Sequence, residues 1–309
     1  MRLLPFFSGG GTGKESRRHG KKPRFWGEDV EKEGKPWLDN QGDRVPLFPV
    51  ERGREEMEMI TSRSNPLCTH LRKLSASGAY RRRCGEFLCD SPKLLTEALA
   101  HGAVVHTVVA TPSVTLPPLP EGVRTVQVPE DVMASVSPAQ TPQGVLSVCA
   151  MVPQSVPARL EGAVYMVLDG VQDPGNVGTI LRTADALGAD GVFLLPGCAD
   201  LYNPKTVRAT MGAVFRLSAW TAEPQALREL LDASGIPLYG AALREDTVDA
   251  RNVDYARCAL AIGSEGRGLS ETMLSLCDRT IRIPMRARCE SLNAAAAATV
   301  LLWEAARGR

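Results

Sequence analysis

The chain is poor in the features that would give a quick assignment. Aromatic residues make up 5% of its 309 positions, so stacking on unpaired bases is not signalled. Its eight cysteines contain no Cys-x-x-Cys, and Cys84 and Cys89 are the closest pair. Without paired ligand spacing, no structural metal site is expected. Scattered cysteines without a secretion signal fit buried thiols in a reducing, cytoplasmic setting. No apolar run is long and uninterrupted enough to span a bilayer. The net charge of +1 rules out a polycation acting through its global field, so any binding to polyanions must come from local patches. Nucleotide fingerprints are missing too. In Gly-Gly-Gly-Thr-Gly-Lys at 9–14, Ser8 stands where a P-loop needs Gly and Glu15 where it needs Ser or Thr, with no strand before it. Asp-Pro-Gly-Asn-Val-Gly at 173–178 does not fit the dinucleotide pattern of a Rossmann enzyme.

What is present divides the chain in three. Residues 1–56 are rich in Gly, Pro and charge without an apolar period, which predicts a disordered extension. Its acids Glu28, Asp29, Glu31 and Glu33 argue against a mitochondrial presequence. Arg54-Glu-Glu at 54–56 is also what a translated ribosome-binding site would spell, so the natural start is expected at Met57 or Met59. Residues 57–155 read as a small α/β domain. Leu67, Leu71 and Leu74 lie at helical spacing, and Asp90 or Ser91 is placed to cap a helix with Pro92 in its first turn. Strands are expected at 85–90, 104–109, 123–128 and 144–152. Residues 160–309 alternate strand and helix, as a parallel sheet requires. The strands fall at 164–168, 192–195, 238–242, 258–262 and 280–283, and an Ala-rich helix closes the sequence.

Three blocks in this last region follow strand ends. They are Asn-Val-Gly-Thr-Ile-Leu-Arg-Thr at 176–183, Ile-Gly-Ser-Glu-Gly-Arg-Gly-Leu at 262–269, and Ile-Pro-Met at 283–285 leading to Ser-Leu-Asn-Ala at 291–294. Open α/β sheets bind ligands outside the carboxyl ends of their strands, so the three suggest one composite site.

In order and spacing, these blocks resemble the SpoU/TrmH branch of the SPOUT RNA methyltransferases, over residues 59–306. The resemblance implies an α/β fold with a knotted, trefoil parallel-sheet catalytic domain, preceded by a smaller substrate-binding domain similar to ribosomal protein L30e. It implies transfer of a methyl group from S-adenosylmethionine to a ribose 2′-hydroxyl, in ribosomal rather than transfer RNA, by a homodimer joined through the knotted domain. A non-catalytic RNA-binding protein on the same scaffold is the alternative. Carried over residue by residue, it makes Arg182, Asn176, Glu265, Ser291 and Asn293 active-centre residues. It makes Gly263 a backbone contact to the cofactor, and Ile283 and Leu292 positions whose backbone groups hold the adenine and neighbouring parts.

Arg182 is expected to stabilise a developing alkoxide and grip a phosphate, since a guanidinium is a poor base. Asn176, Ser291 and Asn293 could each instead cap a helix. Lys73 and the run Arg81, Arg82 and Arg83 put positive charge in the first domain and are candidate RNA contacts. Lys205 and Arg208 are further candidates.

Overall fold

The computed structural model describes residues 57–152, 155–286 and 291–307. The readings of residues 1–56 fall outside them.

The first half builds a five-stranded sheet. In chain order its elements are β1 (Glu58–Met59), α1 (Pro66–Ala76), α2 (Gly78–Cys84), β2 (Glu86–Cys89), α3 (Pro92–Ala100), β3 (Val105–Ala110), β4 (Arg124–Gln127), α4 (Glu130–Val136) and β5 (Val145–Ala150). The strand order is β1-β4-β3-β5-β2. β3 and β4 run parallel, while β5 is antiparallel to both its neighbours. Leu67, Leu71 and Leu74 of α1 are buried against Val109, Val126 and Leu146, as their spacing predicts. The opposite face buries Phe87, Leu94, Leu95, Val108 and Cys149. Of the two candidate caps for α3, Ser91 does the work: its Oγ accepts from the Leu94 amide at 3.2 Å.

The second half builds a seven-stranded sheet. Its elements are β6 (Val164–Asp169), α5 (Pro174–Ala186), β7 (Gly191–Leu194), α6 (Pro204–Thr210), β8 (Ala219–Thr221), α7 (Pro224–Ser234), β9 (Leu238–Ala241), β10 (Val248–Asp249), β11 (Cys258–Gly263), α8 (Glu271–Leu276), β12 (Arg279–Arg282) and α9 (Ala294–Ala306). Every pairing in the order β10-β12-β9-β11-β6-β7-β8 is parallel. β6 and β11 are buried along their whole length, which is why both read as unbroken apolar runs. α5 and α9 cover one face with Ile180, Leu181, Ala298 and Leu301. Leu227, Leu231 and Met273 of α7 and α8 cover the other. β12 is inserted between β9 and β10, yet α9, the next element, packs back on α5 and β11. That return passage is the one a knotted sheet requires.

Polar ties join the halves. Arg208 on α6 pairs with Asp90, whose side chain is 1% exposed. Arg216 lies between Glu97 and Asp185. Among the described residues, no helix is long and apolar enough to cross a membrane.

Candidate functional site

The three blocks meet at the carboxyl ends of β6, β11 and β12. Asp173, following β6, caps α5 by accepting from the Asn176 amide at 3.0 Å. Asn176 therefore has its side chain free for other work. Its Nδ2 donates to Glu265 Oε1 at 2.6 Å, and its Oδ1 accepts from Asn293 Nδ2 at 3.0 Å. Asn293 is the cap of α9, its Oδ1 accepting from the Ala295 and Ala296 amides. One residue from each block thus joins a single hydrogen-bonded chain, spanning 117 positions of sequence between Asn176 and Asn293.

The helix fixes the direction of this chain. Two α9 amides can only donate, so the Asn293 oxygen must face them and its nitrogen must face outward. Asn176 then has to present oxygen to Asn293 and nitrogen to Glu265, whose carboxylate accepts.

Beside this chain lies a cavity of about 360 Å³. Ile262, Ile281, Ile283 and Leu292 give it apolar walls, Gly263 to Gly266 a backbone rim, and Ser291 and Glu265 its polar groups. That mixture of apolar wall and a few polar groups is typical of small-molecule sites. Leu292 and Met285 are 41% and 38% exposed, large apolar side chains left for a ligand to cover. The rim is closed by mutual backbone bonds of 2.9 Å between Ser264 and Gly268. A Cβ on Gly263 would sit 1.9 Å from the Gly268 carbonyl carbon, so only glycine permits this closure. Gly178 of the first block has a similar cause: a Cβ there would meet the Thr206 carbonyl oxygen at 2.4 Å, where α5 crosses α6.

The walls fit S-adenosylmethionine. Its flat apolar base suits the Ile and Leu side chains, and its charged part suits the acceptor Glu265. Gly263, Ile283 and Leu292, the expected cofactor contacts, all line the cavity, and so do Ala241, Ala242, Leu243, Met285 and Arg282. These additions were open to inference, since β9 and β12 also end here.

Arg182 stands apart from this chain of bonds. It is exposed on α5, and among the described residues its guanidinium makes no hydrogen bond or ion pair. Lys205, by contrast, is engaged with Asp173 at 2.8 Å. The Lys205 ammonium, followed by the Asn176 amide, holds the Asp173 carboxyl below its usual range. Behind the β9 end of the cavity, burial pushes the Cys277 thiol up to about 11, making it an unreactive packing group.

The four cations expected to contact RNA are not equivalent. Lys73, Arg82 and Arg83 are exposed. Arg81 is 3% exposed. Its guanidinium donates to the Leu74 and Ser75 carbonyls at 2.6 and 3.2 Å and to Asp200 at 2.6 Å. It faces the second half of the chain and not solvent, because α2 turns that one position of the run inward. Arg208 is likewise committed to Asp90.

Comparison with known proteins bears on the same region. Residues 163–303 match the model of the SpoU rRNA Methylase family, and residues 55–147 match an MRM3-like substrate binding domain. A 23S rRNA (guanosine(2553)-2′-O)-methyltransferase of Bacillus subtilis is 31% identical over 80% of this chain and 98% of its own. The chain belongs to the SpoU rRNA methylase family. A 23S rRNA (uridine(2479)-2′-O)-methyltransferase of Streptomyces viridochromogenes is 34% identical over 87% of this chain and 96% of its own. Among solved structures, an AdoMet-bound rRNA methyltransferase from Sinorhizobium meliloti superposes with a TM-score of 0.72 at 33% identity, covering 81% of this chain and 98% of that one. The knotted parallel-sheet class and the smaller sheet before it are those of this family.

Proposed function

We propose that this SpoU-family methyltransferase modifies a ribose 2′-hydroxyl of ribosomal RNA, with S-adenosylmethionine as donor. The hydrogen-bonded chain Glu265–Asn176–Asn293 carries this reading, because it ties the first block to the two blocks that line one ligand-sized cavity. The relatives named for 2′-O-methylation of 23S rRNA favour ribosomal over transfer RNA.

When bound, S-adenosylmethionine supplies the methyl group. The chain's own contribution is positioning and charge. The polarised Asn176–Asn293 pair ties α5 to the start of α9 beside the cavity, and Ser291 at the cavity's edge offers a hydroxyl to the incoming ribose. Arg182, which has no partner among the described residues, offers a guanidinium to the ribose oxygen as its proton passes to solvent, and to a neighbouring phosphate. A 2′-hydroxyl loses its proton far above neutrality, so a fixed cation that favours the alkoxide lowers the barrier without acting as a base.

Residues 57–155 serve in this reading as the RNA-binding domain, through Lys73, Arg82 and Arg83, and residues 160–309 as the catalytic domain. The active form is a homodimer joined through the knotted domain. Val300 and Trp303, 38% and 60% exposed one turn apart on α9, supply an apolar surface for the second copy. The setting is cytoplasmic.

The test is transfer of labelled methyl groups to ribosomal and transfer RNA stripped of 2′-O-methylation, followed by mapping of the ribose. Label in one ribosomal position is the expected result. Label in transfer RNA alone would overturn the substrate, and no label with well-folded, cofactor-binding protein would overturn the activity.

A further inference from the structure

We propose a zinc-binding site in the first half of the chain, formed by His70, Cys84 and Glu86. The side-chain ligand atoms of these three residues lie within 4.8 Å of one another. They come from three elements: His70 from α1, Cys84 from the last turn of α2, and Glu86 from the first position of β2. The turn at Gly85, with φ of 68°, separates Cys84 from Glu86 by a single residue and lets both reach the same imidazole. Sequence spacing did not signal this site, because metal motifs are usually read from repeated Cys or His pairs and here a single Cys-x-Glu is joined by a distant His.

The surroundings are those of a metal-binding imidazole. His70 Nε2 lies 3.0 Å from Glu86 Oε2, and His70 Nδ1 lies 3.0 Å from the Tyr80 hydroxyl. Imidazoles that bind metal through one nitrogen are held by a polar partner at the other, which Tyr80 provides. One nitrogen, one sulfur and one carboxylate oxygen form a donor set suited to tetrahedral zinc, with a fourth position left for water. Binding would replace the proton between Nε2 and Glu86 and release the Cys84 thiol proton to solvent. The Tyr80 hydroxyl would then accept from Nδ1–H. Thiolate and carboxylate together balance the two charges of the ion, so the site stays neutral beside Lys73 and Arg83, whose cations lie 5.7 and 4.9 Å from the Tyr80 ring centre.

The site has a mechanical use. α2 has only seven residues and carries three arginines, too short and too charged to hold itself helical. A metal clasping its last residue to α1 and β2 would fix the direction in which Arg82 and Arg83 project.

Cobalt(II) and zinc(II) are the probes, added to the metal-free full-length protein. One equivalent of cobalt is expected to give a sulfur-to-cobalt charge-transfer band that zinc abolishes, and one equivalent of zinc to raise the melting temperature. Cys84→Ser is expected to remove the band, and Glu86→Gln to weaken zinc binding about tenfold or more. Circular dichroism would establish that both variants are folded. Absence of the band in the wild-type protein, or its persistence at equal intensity in Cys84→Ser, would overturn the site. Neither outcome touches the methyltransferase assignment, which is read from RNA.

Discussion

Helices α2 and α5 both carry arginine, and they use it in opposite ways. On α2 the central feature is a run of three, and its first member is buried in the junction between the halves. On α5 a single arginine follows two turns of apolar and small residues, yet it projects to solvent with no partner among the described residues. Local charge density therefore predicts little about which cation is available to a ligand. What decides is whether an acid waits across a contact. Asp200 and the carbonyls at the end of α1 satisfy Arg81, whereas nothing described satisfies Arg182.

The comparison can be broken at four places. The largest effect is expected from Arg81→Ala, which strips Asp200 and two carbonyls of their donor. Leaving a largely buried charge unpaired costs about 3 kcal/mol, read as a lower denaturant midpoint. If instead the midpoint holds and RNA affinity falls, Arg81 belongs with its exposed neighbours. Next is Arg182→Ala, expected to slow transfer by about 10²–10³-fold with cofactor affinity changed no more than a few-fold. Equal loss of both would assign Arg182 to the donor cavity. Third, the double change Arg82→Ala with Arg83→Ala should leave stability unchanged, weaken RNA binding, and reduce the salt slope by about 2. An unchanged slope would make these residues merely solvated. The smallest effect concerns Asp173. Its folded pKa is depressed, so its contribution to stability is present above the unfolded value and disappears as pH falls through the folded one. Melting curves between neutral and acid pH should flatten slightly in Asp173→Asn, and identical profiles would deny the Lys205 pairing any weight.

Much of the fold was legible because burial leaves a pattern. β6 and β11 are covered on both faces, and their sequences are correspondingly apolar, up to Leu168 in β6 and throughout β11. The alternation of these strands with helices gave the parallel sheet. Elements whose formation depends on neighbours were invisible. α2 has no apolar period, β10 is two residues long, and α8 has six residues with Met273 alone buried. α4 was missed although it offered Pro129, Glu130 and Asp131 as signs of a helix start.

The site divides the same way. The blocks were recognisable, and three of the five active-centre candidates, Asn176, Glu265 and Asn293, lie in one chain of bonds. The question of which residue caps which helix was not decidable from spacing. Asp173 takes the role at α5 that Asn176 could have filled, and this releases Asn176 to connect the blocks. Asn293 performs both tasks at once, through opposite ends of its amide. The inward turn of Arg81 depends on Asp200, 119 positions away, and no local pattern encodes it.

The placement of β12 and α9 has a consequence for biogenesis. Nearly all of the donor cavity is built from residues 241 onward, and its last wall is supplied by the strand that slips between β9 and β10 and by the helix that doubles back. While the polypeptide is emerging from the ribosome, the first sheet can already be complete with no capacity to hold the donor. A nascent or prematurely terminated product would thus lack the cavity, and the capacity to hold the donor would arrive only when the threading of the final segment is finished.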